Sequence, residues 1–384
     1  MNRKKQIKNK VIRYFRIFLA GISSIKKQVF FESFDGRQYS DNPRAISEKL
    51  HEKYPEYKIV WPLNANVSDR ENMIPEYVKV VKRKSLSYFW NIERSFAYVT
   101  NEALTSHMYK RKGQFFIQTW HGDRAPKKVL YDAWAGGKRP FPVMDEFMTD
   151  LCVAGSQIGK NVYRDAFHYH GEVLMTGSPR NDRLVINSEA EIKKIRNKLG
   201  IDNDTKIMMY APTYRDNIKG KEVMPVDLHR IIKLLEDRGE KWACFIRAHS
   251  HSAGISYEYS DKFIDMSQYF DMADLLLVTD LLITDYSSSA GDYILRNKPV
   301  ILAMFDYDEY RNNCREFKFD IRNCGFVTAY NQAELEALIC SDNQALFEDS
   351  CRKLYDYFEI NETGHSSEDV CDRIDRFFRE HYIN

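Results

Sequence analysis

The chain has 384 residues, a length that fits two domains of ordinary size. Hydrophobic residues make up 43% and charged residues 29%, a composition that predicts a packed globular protein and excludes a disordered chain. The seven cysteines form no CxxC pair, which argues against a zinc site or a disulfide framework and favours a reduced cytoplasmic protein.

Residues 1–27 are predicted to form a basic amphipathic helix. Nine Lys or Arg, Arg16 among them, and no Asp or Glu occur in residues 1–31, although the net charge of the chain is only +2. This pattern favours a helix lying on an anionic membrane surface, and the alternative is a helix packed on its own domain. No apolar run reaches the roughly 18 to 20 residues that span a bilayer. The apolar face recurs every three or four positions, at Ile7, Val11, Tyr14, Phe15, Phe18 and Ile22.

Strands and helices then alternate through residues 28–187, the predicted first domain. Nearly continuous apolar runs predict strands that are buried on both faces, as in a parallel sheet with helical crossovers. A helix is expected at about residues 45–53. The strands are predicted at 28–33, 57–63, 78–83, 95–100, 113–119, 150–156 and 172–178.

A second α/β series occupies residues 188–384, the predicted second domain. It begins with a charged helix at 188–200 that ends at Gly200, and after about residue 331 the chain is predicted to be helical. Two such series predict two facing Rossmann-like domains, with ligands beyond the carboxyl ends of the strands. Strands are predicted at 206–213, 243–250, 262–267, 281–287 and 299–306, and helices at about 227–238, 271–277 and 287–296.

The segment LLITDYSSSAGDY at 281–293 joins a buried strand to a helix. Asp285 ends the strand, and Ser287 and Ser288 fall in the first turn of the helix. Unpaired N–H groups, the helix dipole and added hydroxyls favour a phosphate there. The alternative is simple N-capping by Asp285 or Ser287.

The segment FFIQTWHGDRAPKK carries a histidine directly after another strand. His121 is followed by Gly122, which lets a substrate approach, so His121 is a candidate general base. The alternative is a structural loop histidine. The nearby Arg124, Lys127 and Lys128 favour an anionic substrate or acceptor.

Two more strand ends carry cations. Alternation in FIRAHSHS puts Arg247 and His249 on one side of a strand, where they could neutralise charge on a phosphate oxygen. In YAPTYRD, Thr213 and Arg215 follow a further strand. The chain has no Walker A loop, no GxGxxG and no metal-binding motif. We therefore predict phosphoryl-group chemistry with no cofactor and no protein-held metal.

Together these motifs resemble the CDP-glycerol glycerophosphotransferase family, the primases and polymerases of wall teichoic acid with related capsule enzymes. The matching segments, in order, are ESFDGRQYSDNP, TWHG, YAPTYR, RAHS, LLITDYSS and PVILAMFDYDEY, and they cover roughly residues 28–325. The resemblance implies a GT-B architecture and a peripheral, monotopic position on the cytoplasmic face of the membrane. It implies CDP-glycerol as donor, an undecaprenyl-diphosphate-linked or polymeric acceptor, and release of CMP.

The resemblance also implies roles for individual residues. His121 would be the base, His249 would stabilise phosphate charge, and Ser287 and Ser288 would line the phosphate site. This chain departs from the family pattern in three places: Ser250 replaces a usual Pro, DRAPKK replaces a usual TP and Lys, and SAGDY replaces bulky apolar residues. The predicted donor-binding residues are Arg247, Ser287, Ser288, Asp285, Thr213 and Arg215, and the predicted acceptor or anion contacts are Gly122, Arg124, Lys127 and Lys128.

Other functions stay open on the sequence alone. A GT-B glycosyltransferase with a nucleotide-sugar donor would show similar features, because that fold serves both chemistries. A ribitol phosphate transferase that uses CDP-ribitol and a non-enzymatic membrane adaptor are further alternatives. No nucleic-acid partner is expected, and the sequence leaves both a homo-oligomer and the choice between primase and polymerase undecided.

Overall fold

The computed structural model describes residues 3–64, 74–133, 143–213, 226–247, 259–314, 316–341 and 343–383. The chain divides into two compact units. The first contains Met1–Asp123, Val129–Asp182 and Asn361–Asn384, and the second contains Arg124–Lys128 and Arg183–Ile360.

The helices of the described residues follow the expected apolar periodicity, and several are capped as their sequences predict. Ser188 accepts a hydrogen bond from the Glu191 N–H at one helix start, and Gly200 ends that helix with a φ of 68°. The helices are α1 (Arg3–Ile22), α2 (Asp41–Lys53), α3 (Leu86–Arg94), α4 (Leu130–Ala133), α5 (Asp145–Met148), α6 (Gln157–Ala166), α7 (Asp182–Ile186), α8 (Glu189–Leu199), α9 (Leu228–Glu236), α10 (Met272–Val278), α11 (Ser288–Tyr293), α12 (Tyr307–Asn313), α13 (Gln332–Ser341), α14 (Gln344–Phe358) and α15 (Ser366–Tyr382).

The first unit contains a parallel sheet whose strands match the predicted apolar runs. They are β1 (Lys26–Glu32), β2 (Lys58–Leu63), β3 (Val78–Lys82), β4 (Ser95–Thr100), β5 (Phe115–Gln118), β6 (Leu151–Ala154) and β7 (Glu172–Met175). Their order is β3-β2-β1-β4-β5-β6-β7, and every pairing is parallel. The central strands β1 and β4 are almost entirely buried because helices cover both faces.

The second unit repeats this design. Its strands are β8 (Thr205–Ala211), β9 (Lys241–Ile246), β10 (Phe263–Asp265), β11 (Leu281–Thr284), β12 (Val300–Ala303) and β13 (Val327–Ala329). They are parallel and lie in the order β10-β9-β8-β11-β12-β13. Counted from the first strand of each unit, both sheets contain the 3-2-1-4-5-6 order of a Rossmann fold. The predicted α/β class with two Rossmann-like domains is confirmed.

Strand order reverses between β1 and β4 in the first unit and between β8 and β11 in the second. In an open parallel sheet, ligands bind beyond the carboxyl ends of the strands at this reversal. The loops that follow these four strands are therefore the places to look for functional groups in each unit.

The C-terminal helix corrects the predicted domain boundaries. Residues 361–384, predicted as part of the second domain, belong to the first unit. The buried face of α15 carries Val370 and Ile374, which share a core cluster with β1 and β2, and the Tyr57 hydroxyl donates to Asp375 at 2.7 Å. The periodicity of α15 predicted a helix but did not reveal which sheet its apolar stripe would cover.

Helix α1 exposes most of the predicted stripe, keeps Phe15 partly buried, and buries Arg16, Leu19 and Ala20. The ring of Phe15 packs edge-on against Phe89, and Arg16, predicted among the flanking cations, is fully buried and pairs with Glu93 at 2.5 Å. Burial raises the pKa of Glu93, and the Arg16 charge opposes that rise. No helix among the described residues is both long and apolar enough to cross a membrane. The exposed apolar residues are Ile7, Val11, Tyr14, Ile17, Phe18 and Ile22.

Candidate active site

His121 lies in the loop that follows β5, and side chains of the first unit hold this loop in place. The residue before it, Trp120, is buried and has a φ of 49°, which is unusual for a bulky residue. The amide of Asn42 donates to the carbonyl oxygens of Thr119 at 3.2 Å and Trp120 at 2.9 Å. These bonds fix the backbone that carries the imidazole.

The imidazole of His121 has one nitrogen committed and one available. Its Nδ1 lies 2.7 Å from the carbonyl oxygen of Asn101, which follows β4. Because a carbonyl can only accept, Nδ1 carries the proton and Nε2 keeps its lone pair. The rings of Phe34, which follows β1, and Trp120 flank the imidazole at centroid distances of 5.2 Å and 4.1 Å. His121 therefore lies at the strand-order reversal of the first unit in the tautomer that a general base needs.

A polar network that the sequence analysis missed supports the same crevice. The Asn101 side chain accepts from the Phe34 N–H at 2.8 Å and donates to Asp41 at 3.0 Å. Arg180, buried after β7, pairs with Asp41 at 3.3 Å, and Asp41 has a φ of 66°. One signal was present in the sequence: Asn101 directly follows the predicted strand at 95–100.

Glu102 adds a carboxylate next to this network. Burial and the Asp35 charge raise its pKa, while the charge of Arg37, and that of His121 when its ring is protonated, oppose that rise. Arg37 donates to Glu102 at 3.1 Å. A carboxylate that interacts with His121 would stabilise the imidazolium formed when the base takes up a proton.

The next residues in the chain, Gly122 and Asp123, are also buried. The Asp123 carboxylate accepts from the N–H of Gly155 at 2.8 Å and from the hydroxyl of Ser156, the N-cap of α6. This places a negative charge at the positive end of a helix, which is a stabilising position. The loop is thus bound to the first unit on both sides of His121.

In the second unit, the loops after β8 and β11 meet at Asp285. Its carboxylate accepts from the Thr213 N–H at 2.9 Å and from the Tyr286 N–H at 2.6 Å. Both bonds lie at the strand-order reversal. The structure therefore brings together Asp285 and Thr213, two of the predicted donor-binding residues. Arg215 and His249, which were predicted beside them, lie outside the described residues.

The two serines at the start of α11 differ in their bonding. Ser287 is the N-cap, and its hydroxyl accepts from the Ser289 N–H at 3.3 Å and from the Ser289 hydroxyl at 2.9 Å. N-capping was the alternative interpretation of this stretch, and Ser287 does serve that purpose. The Ser288 hydroxyl is half-buried and has no hydrogen bond to any described residue. Phosphate binding by both serines stays a prediction.

Four predicted cations of the second unit lie among the described residues, and each contacts another group of that unit. Arg247 donates to the carbonyl oxygens of Met266 at 2.9 Å and Tyr269 at 2.6 Å. Arg124 is buried against Gly291 and Asp292 in α11, Lys127 lies over the Tyr310 ring at 5.7 Å, and Lys128 pairs with Glu316 at 2.6 Å. Their roles in binding anions stay predictions.

Comparison with known proteins identifies the family. The model of the CDP-glycerol:poly(glycerophosphate) glycerophosphotransferase family matches residues 14–376. The teichoic acid poly(glycerol phosphate) polymerase of Bacillus spizizenii is 30% identical over an alignment of 405 positions. This alignment covers 96% of this chain and 100% of that protein. The polymerase of the same name from Staphylococcus epidermidis is also 30% identical, and there the match covers 92% of this chain but 51% of the relative.

A solved structure agrees with this assignment. A histidine-to-asparagine variant of the wall teichoic acid polymerase TagF superposes with a TM-score of 0.83 at 27% identity, covering 100% of both chains. The fold, the order of the motifs and the extent of the family match therefore agree. The chain belongs to the CDP-glycerol:poly(glycerophosphate) glycerophosphotransferase family and is a glycerophosphotransferase that uses CDP-glycerol.

Proposed function

We propose that the protein transfers glycerol phosphate from CDP-glycerol to a hydroxyl of an undecaprenyl-diphosphate-linked acceptor in teichoic acid or capsular polymer synthesis, with His121 as the general base. The observation that carries this proposal is the 2.7 Å contact between His121 Nδ1 and the Asn101 carbonyl oxygen. It leaves Nε2 able to accept a proton at the edge of the sheet where ligands of this fold bind.

The reaction is a single displacement at phosphorus. His121 Nε2 takes the proton of the acceptor hydroxyl while the oxygen attacks the β-phosphorus of CDP-glycerol. The bond from this phosphorus to the bridging oxygen breaks, and CMP leaves with that oxygen and its electron pair. Positioning and charge stabilisation account for most of the catalysis in such transfers.

The second unit supplies the donor contacts in this proposal. Ser287, Ser288, Arg247 and His249 contact the diphosphate, and Asp285 fixes the loop of Thr213 beside them. Two features support this assignment: the bonds of Asp285 at the strand-order reversal and the half-buried Ser288 hydroxyl at the start of α11. Hydroxyls and N–H groups at such a turn suit a phosphate oxygen.

The test uses the purified chain with CDP-glycerol and a defined lipid-linked acceptor, measuring CMP release and product mass. We expect CMP release that requires acceptor, with a mass increase of one or more glycerol phosphate units. A single added unit indicates a primase and a ladder indicates a polymerase. Parallel reactions contain CDP-ribitol or a UDP-sugar. Turnover with one of these donors but not with CDP-glycerol would contradict the proposal.

We further propose that α1 binds the cytoplasmic face of the membrane as a peripheral element. Its exposed apolar residues Val11, Tyr14 and Phe18 are 62%, 71% and 60% accessible and share the helix with many lysines and arginines. Water-exposed apolar area beside cations suits an anionic bilayer surface.

Flotation with anionic vesicles tests this role of α1. The variant Val11→Ser/Tyr14→Ser/Phe18→Ser should float less than the parent chain, whereas the control Tyr330→Ser, 42% exposed in the second unit, should float equally well. Substitution is preferred to deletion because Arg16 and Leu19 are buried in the first unit. Equal flotation of the triple variant and the parent chain would remove the membrane role of α1.

A further inference from the structure

We propose that Arg124 is a positioning residue that holds helix α11, and with it Ser287 and Ser288, in the arrangement that binds the donor phosphate. The inference rests on the proposed function of those serines. It assigns Arg124 a structural role in the second unit, and the anion contact that the sequence predicted for Arg124 stays a separate prediction.

Arg124 reaches α11 from a buried position. Its side chain has 0% exposure, Nε donates to the carbonyl oxygen of Gly291 at 2.7 Å, and Nη2 donates to Asp292 Oδ1 at 3.0 Å. The planar guanidinium thus bonds two consecutive residues of a helix that spans only Ser288–Tyr293. With its backbone and a side chain both held, α11 cannot shift or rotate without breaking these bonds.

Gly291 is the residue that lets Arg124 come this close. A Cβ atom at position 291 would lie 2.7 Å from Arg124 Cβ and 3.3 Å from the Arg124 carbonyl oxygen. The first distance is too short for any other residue without movement of the backbone. Arg124, Gly291 and Asp292 therefore form one fitted contact.

This contact joins two segments that are far apart in the chain. Arg124 belongs to DRAPKK, and Gly291 and Asp292 belong to SAGDY. Arg124 and Gly291 lie 167 positions apart and are hydrogen-bonded to each other. The contact is therefore formed only when the second unit folds, so its loss should change the position of α11.

The backbone around Arg124 is itself fixed. Pro126 accepts from the Lys318 N–H at 2.7 Å, Lys127 forms an antiparallel bridge with Phe317, and Lys128 donates to Glu316 at 2.9 Å through its backbone N–H. Arg124 is therefore presented to α11 from an anchored segment. A mobile loop could not fix the helix in this way.

The experiment measures steady-state kinetics and CDP-glycerol binding by calorimetry for the full chain and for Arg124→Lys, Gly291→Ala and Asp292→Asn. Lysine keeps the charge but loses the two-pronged geometry, and alanine at 291 forces the segments apart. We expect the KM and Kd for CDP-glycerol to rise about tenfold or more, because small misplacements of binding groups cost up to about 100-fold. The KM for the acceptor should stay unchanged.

The matched control is Lys298→Met, which breaks the 2.5 Å pair between Lys298 and Asp280 before β11, at the opposite end of that strand. It should leave both KM values unchanged. Thermal unfolding of each variant is measured to check that the chain remains folded. The double variant Arg124→Lys/Asp292→Asn should lose no more donor affinity than the worse single variant, because coupled residues are non-additive.

Folded Arg124→Lys and Gly291→Ala proteins with unchanged KM and Kd for CDP-glycerol would overturn the proposal. If Arg124→Lys unfolds, Asp292→Asn decides in the same way: a raised KM supports the proposal and an unchanged one refutes it. Absence of CDP-glycerol turnover by the unmodified chain would count against the proposed function. Normal turnover with unaffected variants would count against the role of Arg124 alone.

Discussion

The two units share one strand order but differ in the groups they place at the strand-order reversal. In the first unit, the loops after β1 and β5 contain non-glycine residues with positive φ, among them Phe34, Asp35 and Trp120, and they surround an imidazole. In the second unit, the described residues directly after β8 and β11 have no positive φ, and a carboxylate there gathers backbone N–H groups. The same scaffold thus holds a strained base-bearing loop in one copy and an ordered helix start in the other.

This difference suggests a division of labour that can be tested. The first unit should control the proton transfer step and therefore kcat, whereas the second should control donor affinity. A variant in the first unit that changed only donor affinity, or a variant in the second unit that changed only kcat, would contradict this assignment.

The largest effect is expected for His121→Gln. Loss of the base should lower kcat about 1,000-fold, within the range typical of general base catalysis, and leave the Kd for CDP-glycerol unchanged. Steady-state kinetics and calorimetry measure the two quantities. His365→Gln is the control, because that histidine is exposed, with 69% of its side chain accessible. Near-normal kcat in a folded His121→Gln protein would refute the assignment of the base.

A smaller effect is expected for Asp285→Ala in the second unit. Removing the carboxylate leaves the Thr213 and Tyr286 N–H groups without this acceptor and loosens the loops beside Ser287. Bonds to a charged group contribute about 1.5–3 kcal/mol, so the Kd for CDP-glycerol should rise roughly 10- to 100-fold. In the control Asp265→Ala, an exposed carboxylate that accepts from the Ser267 N–H is removed, and the Kd should not change. A lower kcat with an unchanged Kd for CDP-glycerol in Asp285→Ala would show that the second unit controls catalysis and not donor affinity.

The pH dependence of stability should reveal the buried His107 of the first unit. Burial and then the Arg16 charge lower the pKa of His107 to about 4, from the ordinary histidine value of 6.5. The folded state keeps His107 neutral while the unfolded state protonates, so stability is lost as pH falls from 6.5 towards 4. Between pH 7.5 and 5 the parent chain should lose about 2 kcal/mol relative to His107→Gln. Urea unfolding of the parent chain and of His107→Gln at both pH values measures the free energy of unfolding. A difference between the two proteins that is the same at pH 7.5 and pH 5 would contradict the prediction.

The smallest effect is expected for Asn101→Ala. The His121 ring contacts the backbone of Asn101, which the substitution keeps, but Phe34 and Asp41 lose their bonds to the Asn101 side chain. Loss of about 1–1.5 kcal/mol of support should lower kcat about tenfold without changing donor affinity. Asn331→Ala, an exposed asparagine that donates to Glu334, is the control. A change in donor affinity with kcat intact would show that the polar network serves a different purpose.

The sequence by itself determined the fold class and which strand ends are followed by the predicted site residues. Strands such as β4 and β11 are continuous apolar runs that end at a polar residue, so their ends and the motifs that follow could be read locally. The short β13 (Val327–Ala329) was not predicted, whereas β10 (Phe263–Asp265), equally short, was predicted within the run at 262–267.

Only the tertiary structure decided which distant segments meet. The apolar stripe of α15 could cover either sheet, the charge of Arg16 could face water or Glu93, and Arg124 could bind a substrate or α11. The apolar periodicity of a helix or strand shows which of its faces is buried, but it does not show which other element packs against that face. The partner depends on shape and charge between residues far apart in the chain, as where the missing side chain of Gly291 admits Arg124.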